Sequence, residues 1–226
     1  MTRAVVTGPS RGIGRATALE LARRGVDLWL VGRPSAALDA VAAEAAAAGV
    51  RADPLACDLA LADEVERAGE ALNAHGAPVA VIHNAAIIER GRIEDLSVAA
   101  WDRHLAINLR APFQLTRALL PAMRRAGRGR FVFVGSISST VGSPGAAAYC
   151  ASKWGIVGLA KSLAEELTDS GLSAVAILPG SVDTEMLEGS GFAPRMSADE
   201  VARSIVHYAL DAPLAHNGGV VEMFGT

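Results

Sequence analysis

The sequence Arg-Ala-Val-Val-Thr-Gly-Pro-Ser-Arg-Gly-Ile-Gly occupies residues 3–14. Its first five residues form an apolar run that predicts a buried strand, and a helical pattern begins at residue 14. The glycines between them allow a tight turn, and the N-terminus of the following helix offers free N–H groups to an anion. We predict a phosphate-binding loop, although a glycine-rich turn needed only for packing is the alternative. Its predicted binding residues are Gly8, Ser10, Arg11, Gly12, Ile13 and Gly14.

The rest of the chain alternates short apolar runs with long helical stretches. Further strands are predicted at residues 28–31, 52–57, 79–83, 130–134, 173–178 and 220–223. Helices are predicted at residues 14–24, 35–48, 61–75, 97–125, 148–170 and 198–210, with a bend or break at Pro112 and Pro121. Near-continuous apolar strands are typical of parallel sheets covered on both faces. The pattern predicts one doubly wound α/β domain of the Rossmann type over residues 1–226, with a mostly parallel seven-stranded sheet and helices on both faces.

Composition and charge exclude several classes of protein. The chain has 226 residues and a net charge of −3, which argues against nucleic-acid binding. It has no apolar run of about 18 residues, so we expect no membrane span. Strand-like sequence starts at residue 3, so we expect no signal peptide and a cytoplasmic location. Cys57 and Cys150 form no C-x-x-C pair and are expected to be free thiols, and no histidine pair has metal-ligand spacing, so no metal site is expected.

The end of the second predicted strand bears on cofactor choice. In NAD-binding proteins, an aspartate or glutamate at this position binds the 2′-hydroxyl of the ribose. This chain has Gly32 and Arg33 there instead, and Asp27 lies at the other end of the strand. Arg33 and Arg11 can together hold a 2′-phosphate, since guanidinium groups suit phosphate oxygens. We therefore expect NADP(H) rather than NAD(H). Two solvated loop arginines are the alternative.

One tyrosine and one lysine lie four residues apart, in a chain with only two of each. Tyr149 and Lys153 would share one face of a helix. A nearby ammonium favours the phenolate and would lower the tyrosine pKa from its usual value near 10. The pair therefore indicates a general acid/base.

Five further segments carry recognisable motifs at ordered positions. They are Asp58 with Leu59, Asn84 with Ala85 and Ala86, Asn108, Ser136, and the loop Pro179, Gly180, Val182 and Thr184. With the turn at residues 7–14 and the Y-x-x-x-K pattern at 149–153, they resemble the short-chain dehydrogenase/reductase family in its 3-oxoacyl-reductase-like branch. The resemblance covers nearly the whole chain. It departs at Ala86, where glycine is usual, and at His83, where asparagine is common.

The resemblance implies roles for these residues. Asn108, Ser136, Tyr149 and Lys153 would be catalytic, with the Asn108 carbonyl holding a water that leads from Lys153 to solvent. Asp58 and Leu59 would contact the adenine, and Lys153 the nicotinamide ribose. The cofactor would also contact Asn84, Ala85, Tyr149, Pro179, Gly180, Val182 and Thr184. Ser136, Ser138, Tyr149 and Met186 would contact substrate.

The resemblance also places a substrate lid at about residues 185–196. Met186, Leu187 and Phe192 would give it an apolar surface, although a loop without a selective role is the alternative. The lid is short for the family, which indicates an open site. A homodimer or homotetramer is expected through helices at residues 101–125 and 149–170, and the short C-terminal tail makes a dimer plausible.

Three functions remain open at this point. The first is an NADP(H)-dependent reductase that transfers hydride to a small carbonyl compound. The second is an NAD-dependent alcohol dehydrogenase of the same fold. The third is a non-catalytic NADP(H)-sensing module, which would not need Asn108, Ser136, Tyr149 and Lys153 together.

Overall fold

The computed structural model describes residues 2–225, and seven strands form its centre. They are β1 (Arg3–Thr7), β2 (Asp27–Gly32), β3 (Ala52–Ala56), β4 (Ala80–His83), β5 (Gly129–Val134), β6 (Leu172–Pro179) and β7 (Val220–Met223). Their order in the sheet is β3-β2-β1-β4-β5-β6-β7, and every neighbouring pair is parallel. The direction of the strand order reverses between β1 and β4. Open parallel sheets bind ligands at the carboxyl ends of their strands beside such a reversal.

Seven α-helices connect the strands. They are α1 (Gly12–Arg23), α2 (Ala36–Ala47), α3 (Ala62–Asn73), α4 (Val98–Leu105), α5 (Ala111–Ala126), α6 (Ala147–Glu166) and α7 (Ala198–Val206). Ser35, Ser97 and Ser197 accept hydrogen bonds from backbone N–H groups at the starts of α2, α4 and α7. Serine favours this position because its hydroxyl satisfies an N–H group that lacks a helical partner.

The sheet carries one apolar core on each face. In β5, Val132 and Val134 face the core beneath α1, α2 and α7, while Phe131 and Phe133 face the core beneath α3, α5 and α6. Alternate strand residues point to opposite faces, so a strand covered on both sides is apolar throughout. This arrangement confirms the predicted doubly wound fold. It departs from the prediction only in being parallel throughout rather than mostly parallel.

The long helical stretch around Asn108 differs from the prediction. The bend expected at Pro112 is a π-helical turn, Ala106–Arg110, that lies directly before it. The π-helical turn runs directly into α5, so Pro112, which has no N–H, cannot donate to the Asn108 carbonyl four residues before it. The break expected at Pro121 does not occur, because α5 continues through that residue.

Three short 3₁₀ turns also escaped prediction, at Ile137–Ser139, Glu185–Leu187 and Leu214–His216. Turns of three residues are too short to produce a periodic pattern. Between residues 2 and 225, no helix combines the length and apolar character that a bilayer crossing requires.

Candidate active site

The phosphate loop joins β1 to α1 and depends on three glycines, of which Gly8 has φ +65° and a Cβ position only 2.9 Å from the Ala85 Cα. Gly12 has φ +53°, a left-handed conformation, and a Cβ there would lie 3.2 Å from Cγ2 of Thr184. A Cβ on Gly14 would collide with the Gly8 carbonyl oxygen and the Asn84 amide. Within residues 2–225, no side chain caps the first turn of α1, so its N–H groups remain available to an anion. The loop therefore fits a pyrophosphate, as the sequence predicts.

Asn84 braces this loop from the end of β4. Its Nδ2 donates to the Thr7 carbonyl at 3.0 Å and to the Gly8 carbonyl at 3.1 Å. The Thr7 hydroxyl accepts from the backbone N–H groups of Asn84 and Ala85 at 3.0 and 3.1 Å. The predicted cofactor residues Asn84 and Ala85 therefore hold the loop in place, in addition to lying beside the cleft.

The end of β2 lies against the same loop. The Gly8 N–H donates to the Val31 carbonyl at 2.9 Å, and Arg33 follows two residues later with an exposed side chain. Arg11 does not stand free beside it, as the sequence interpretation supposed. Its guanidinium forms an ion pair with Glu185 in the lid, and both side chains are largely exposed. A 2′-phosphate would have to compete with this carboxylate for Arg11.

Asp58 and Leu59 follow β3 at the same edge of the sheet. The Asp58 N–H donates to Glu64 at 2.7 Å, and the Asp58 carboxylate accepts from the Ala60 N–H at 3.0 Å. Neighbouring Cys57 is buried, and burial raises the pKa of its thiol to about 11. Cys57 and Cys150 are free thiols, as predicted.

Ser136 follows β5 at the carboxyl edge of the sheet. Its hydroxyl accepts from the Ser138 N–H at 3.1 Å, and its own N–H donates to the Ser139 hydroxyl at 3.2 Å. These bonds close the 3₁₀ turn Ile137–Ser139 and fix the serine in position. Ser138 is buried, and its hydroxyl lies 3.0 Å from the hydroxyl of Ser143. A substrate that hydrogen-bonds Ser138 would therefore compete with Ser143.

Tyr149 and Lys153 lie one turn apart in α6, and both are buried. The Lys153 ammonium is 5.6 Å from the centre of the tyrosine ring and donates to the Val134 carbonyl at 2.7 Å. That carbonyl is one residue beyond the last pair between β4 and β5, His83 with Phe133. Lys153 therefore binds β5 on the side where its pairing with β4 has ended, while Val134 still pairs with Ile177 of β6.

The pKa of Tyr149 departs from the sequence expectation. Burial raises it above its ordinary value, and hydrogen bonding by Ser136 offsets part of that rise. Burial also lowers the pKa of Lys153 from 10.5 to about 8, because a low-dielectric site disfavours the ammonium. The sequence interpretation considered only the attraction between the two charges and left out desolvation. The tyrosine is therefore a protonated phenol at neutral pH.

Asn108 lies in the π-helical turn and connects three parts of the site. Its Oδ1 accepts from the Ile87 N–H at 2.9 Å, and its Nδ2 donates to the Ile87 carbonyl and to the Ser152 hydroxyl, both at 3.0 Å. Ser152 in turn donates to the Tyr149 carbonyl at 2.7 Å. The side chain of Asn108 thus ties the loop after β4 to the helix that carries the tyrosine and lysine.

The loop after β6 carries Pro179, Gly180, Val182 and Thr184 to the phosphate loop. The Gly180 N–H donates to the Met223 carbonyl at 2.7 Å, and Val182 forms an isolated parallel bridge with Met196. The two ends of the predicted lid are therefore held together. Between them Met186 and Phe192 are 37% and 69% exposed, so they offer the apolar surface that the sequence predicts.

Sequence reasoning missed two charged contacts at this lid. One is the Arg11–Glu185 ion pair, and the other is a bond of 3.3 Å from Arg90 to the Met186 carbonyl. Both join residues more than 90 positions apart, and no local pattern in the sequence marks such pairs. The charge on Arg90 also lowers the pKa of Tyr149.

Known proteins are similar to this chain in sequence and in fold. The short chain dehydrogenase family matches residues 2–192. A 3-oxoacyl-[acyl-carrier-protein] reductase from Synechocystis is 33% identical over 225 residues, which cover 99% of this chain and 86% of that protein.

Two solved structures have a TM-score of 0.91 to this chain. A protein from Beutenbergia cavernae, assigned as an NAD(P)-dependent gluconate 5-dehydrogenase and holding NADP at low occupancy, is 32% identical, with 98% of this chain and 94% of that chain covered. A 3-oxoacyl-(acyl-carrier-protein) reductase from Agrobacterium tumefaciens with bound NADP is 26% identical, with 99% and 93% covered. The chain belongs to the short-chain dehydrogenase family.

Proposed function

We propose that this protein is an NADP(H)-dependent oxidoreductase that works as a carbonyl reductase, with Tyr149 as its general acid. The observation that carries the proposal is the buried pair Tyr149 and Lys153, one turn apart in α6, with the ammonium 5.6 Å from the centre of the tyrosine ring. The NADP found in two structural neighbours supports the choice of cofactor.

The cofactor would lie along the carboxyl edge of the sheet. The N–H groups at the start of α1 would bind its pyrophosphate, while Arg33 and Arg11 would bind the 2′-phosphate and Asp58 the adenine. Lys153 would bind the nicotinamide ribose, and residues 179–184 would lie against the nicotinamide. When bound, the cofactor supplies the hydride that reduces the carbonyl carbon.

The proton would come from this chain. Tyr149 donates it to the oxygen of the reacting carbonyl, and Ser136 hydrogen-bonds the same oxygen where negative charge develops. A raised pKa suits a donor in the reductive direction, since the phenol keeps its proton until the oxygen becomes more basic. Oxidation of an alcohol would need the phenolate, which burial disfavours.

Lys153 and Asn108 would return a proton to Tyr149. With a pKa of about 8, Lys153 gives up a proton more readily than an exposed lysine. In an α-helix the Asn108 carbonyl would accept from residue 112, but Pro112 has no N–H. This carbonyl is therefore suited to hold the water that leads toward solvent.

The test is a steady-state assay that follows the loss of NADPH absorbance with aldehydes, quinones and β-keto esters. The proposal predicts turnover with at least one of these classes. Tight NADPH binding without turnover on a broad panel would instead favour a cofactor-sensing module, in which the proton-donor residues have no task.

One observation favours a second candidate, an NAD-dependent alcohol dehydrogenase. Glu185 occupies Arg11, one of the two arginines expected to recognise the 2′-phosphate. Direct binding of NADPH and NADH separates the two functions. Tighter NADPH binding supports the reductase, and tighter NADH binding supports the dehydrogenase.

We also propose that the protein forms a homodimer through α5 and α6. A homotetramer that contains the same contact between these helices is the alternative. Phe113 and Trp154 are 48% and 54% exposed there, which is unusual for large apolar side chains. Ile156 and Leu163 of α6 are buried in the core and take no part. Light scattering should give a dimer mass for the wild type and a monomer mass for a Phe113→Glu, Trp154→Glu double variant.

A further inference from the structure

The loop that follows β4, here called the entrance loop (residues 84–91), is held at four points. Beyond the bonds of Asn84 and Ile87 already described, the Glu89 N–H donates to Nε2 of His104 at 2.9 Å. His104 is fully buried, and its Nδ1 lies 2.7 Å from the Ala100 carbonyl, so that ring nitrogen carries the proton. The Gly91 N–H donates to the Gly145 carbonyl at 2.9 Å, just before the start of α6. The backbone of this loop is therefore fixed on both sides of Arg90.

Arg90 projects from this fixed backbone across the mouth of the site. Its guanidinium reaches the lid, where it donates to the Met186 carbonyl at 3.3 Å. Gly91, its neighbour, touches the N-terminal approach to the helix that carries Tyr149. Arg90 thus lies between the lid and the N-terminal approach to the tyrosine helix.

Among the described residues, no carboxylate neutralises the charge of Arg90. Within residues 2–225 no carboxylate lies within 4 Å of its guanidinium, and Glu185 of the lid already pairs with Arg11. Arg92, two residues further on, pairs with Glu94. The charge of Arg90 also acts on Tyr149, where it offsets a small part of the rise that burial causes in the pKa of the phenol.

We infer that Arg90 recognises an anionic group on the substrate, so the preferred substrates are carbonyl compounds that also carry a carboxylate or phosphate. The inference rests on the proposed carbonyl reduction and narrows its substrate class. A planar guanidinium offers two parallel N–H donors to such a group. An anion bound there leaves the carbonyl end of the same molecule free to reach Tyr149.

The test compares matched acids and esters. 4-Oxopentanoate and 4-formylbenzoate are assayed beside their methyl esters, with the wild type and with Arg90→Gln. A further assay with an acyl phosphonate or a phosphorylated ketone of similar length shows whether the site prefers phosphate or carboxylate. We expect wild type to prefer the anions and Arg90→Gln to raise their KM by roughly tenfold, as for loss of a partly screened, charge-assisted hydrogen bond. The esters should keep their KM, and kcat should change little, since this contact is made equally in the ground and transition states.

Two control variants sharpen the result. Arg90→Lys keeps the charge and should restore most of the preference for anions. Arg92→Gln removes a neighbouring exposed arginine that Glu94 already neutralises, and it should leave all four KM values unchanged. If Arg90→Gln raises the KM of the acids and of the esters equally, the role of Arg90 is to hold the lid and the inference is wrong.

A binding measurement keeps this inference distinct from the proposed function. Calorimetric titration of the NADP⁺ complex with 4-formylbenzoate and its methyl ester reports on binding without any turnover, because NADP⁺ has no hydride to transfer. Tighter binding of the acid that disappears in Arg90→Gln supports anion recognition even if no reduction occurs. Equal binding of acid and ester by the wild type overturns it, even if both are reduced.

Discussion

Replacing Lys153 by methionine should make the folded protein more stable at neutral pH while removing the ammonium from the site. The pKa of Lys153 falls from 10.5 to about 8 on folding. That difference of 2.5, at 1.36 kcal/mol for each pKa unit, corresponds to a cost of roughly 3 kcal/mol for burying the charge. Methionine removes this cost but leaves the Val134 carbonyl without its donor, a penalty of about 1–2 kcal/mol. The expected net gain in free energy of unfolding is about 1–2 kcal/mol at pH 7.

The sign of the pH dependence follows from the same pKa values. Between pH 8 and 10.5 the unfolded wild type binds the proton that the folded protein has lost, so its stability rises with pH across this window. The variant lacks this rise, and its advantage should vanish or reverse by about pH 10.5.

Urea unfolding of both proteins at pH 7 and pH 10, followed by circular dichroism, measures the difference. Lys161→Met changes the other lysine of the same helix, which is exposed, and should show no such pH dependence. The reasoning is refuted if Lys153→Met is less stable at pH 7 by more than 1 kcal/mol and the difference is unchanged at pH 10.

Two further predictions concern His83 and Glu185. Burial lowers the pKa of His83 from 6.5 to about 3, so the folded state resists its protonation and the wild type should lose roughly 2–3 kcal/mol of stability between pH 6.5 and 4.5. His83→Gln keeps a polar group near the Thr116 hydroxyl, and its free energy of unfolding in urea should fall less over the same pH range. An equal fall in both proteins would show that His83 does not cause the acid sensitivity. Glu185→Gln frees Arg11 and should lower the Kd for NADPH two- to fivefold without changing the Kd for NADH, the range expected for an exposed pair. Glu188→Gln alters an exposed lid carboxylate as a control, and weaker NADPH binding by Glu185→Gln would show that Arg11 does not bind the 2′-phosphate.

The sequence determines the fold of this chain almost completely because its signals are local. In β5, for example, residues 131–134 are apolar without interruption and Gly135 follows them, so burial on both faces can be recognised from the sequence. The turn at Gly8, Gly12 and Gly14 needs glycine at all three positions: Gly8 and Gly12 have positive φ, and a Cβ on Gly14 would collide with the Gly8 carbonyl oxygen. Regular periodicity does not mark a π-helical turn, so the break before Pro112 was placed only approximately.

The candidate site is less predictable because its chemistry depends on burial and on distant pairs. The structure brings Ser136, Tyr149, Lys153 and the phosphate loop to one edge of the sheet, as the motifs predict. The direction of the Tyr149 pKa shift was wrong, because desolvation of the phenol is a property of the packed helix and not of the spacing to Lys153. Arg11 pairs with a carboxylate and Arg90 with a backbone carbonyl, both far along the chain, and only the fold reveals these partners.

Turnover and cofactor binding by Tyr149→Phe, measured on one preparation, test the central claim most directly. Phenylalanine keeps the ring and removes only the hydroxyl that donates the proton. The account predicts an NADPH Kd within about twofold of wild type and a kcat at least a hundredfold lower, as for loss of a donor to a developing negative charge. A Tyr149→Phe protein that reduces carbonyl compounds at the wild-type rate would contradict it.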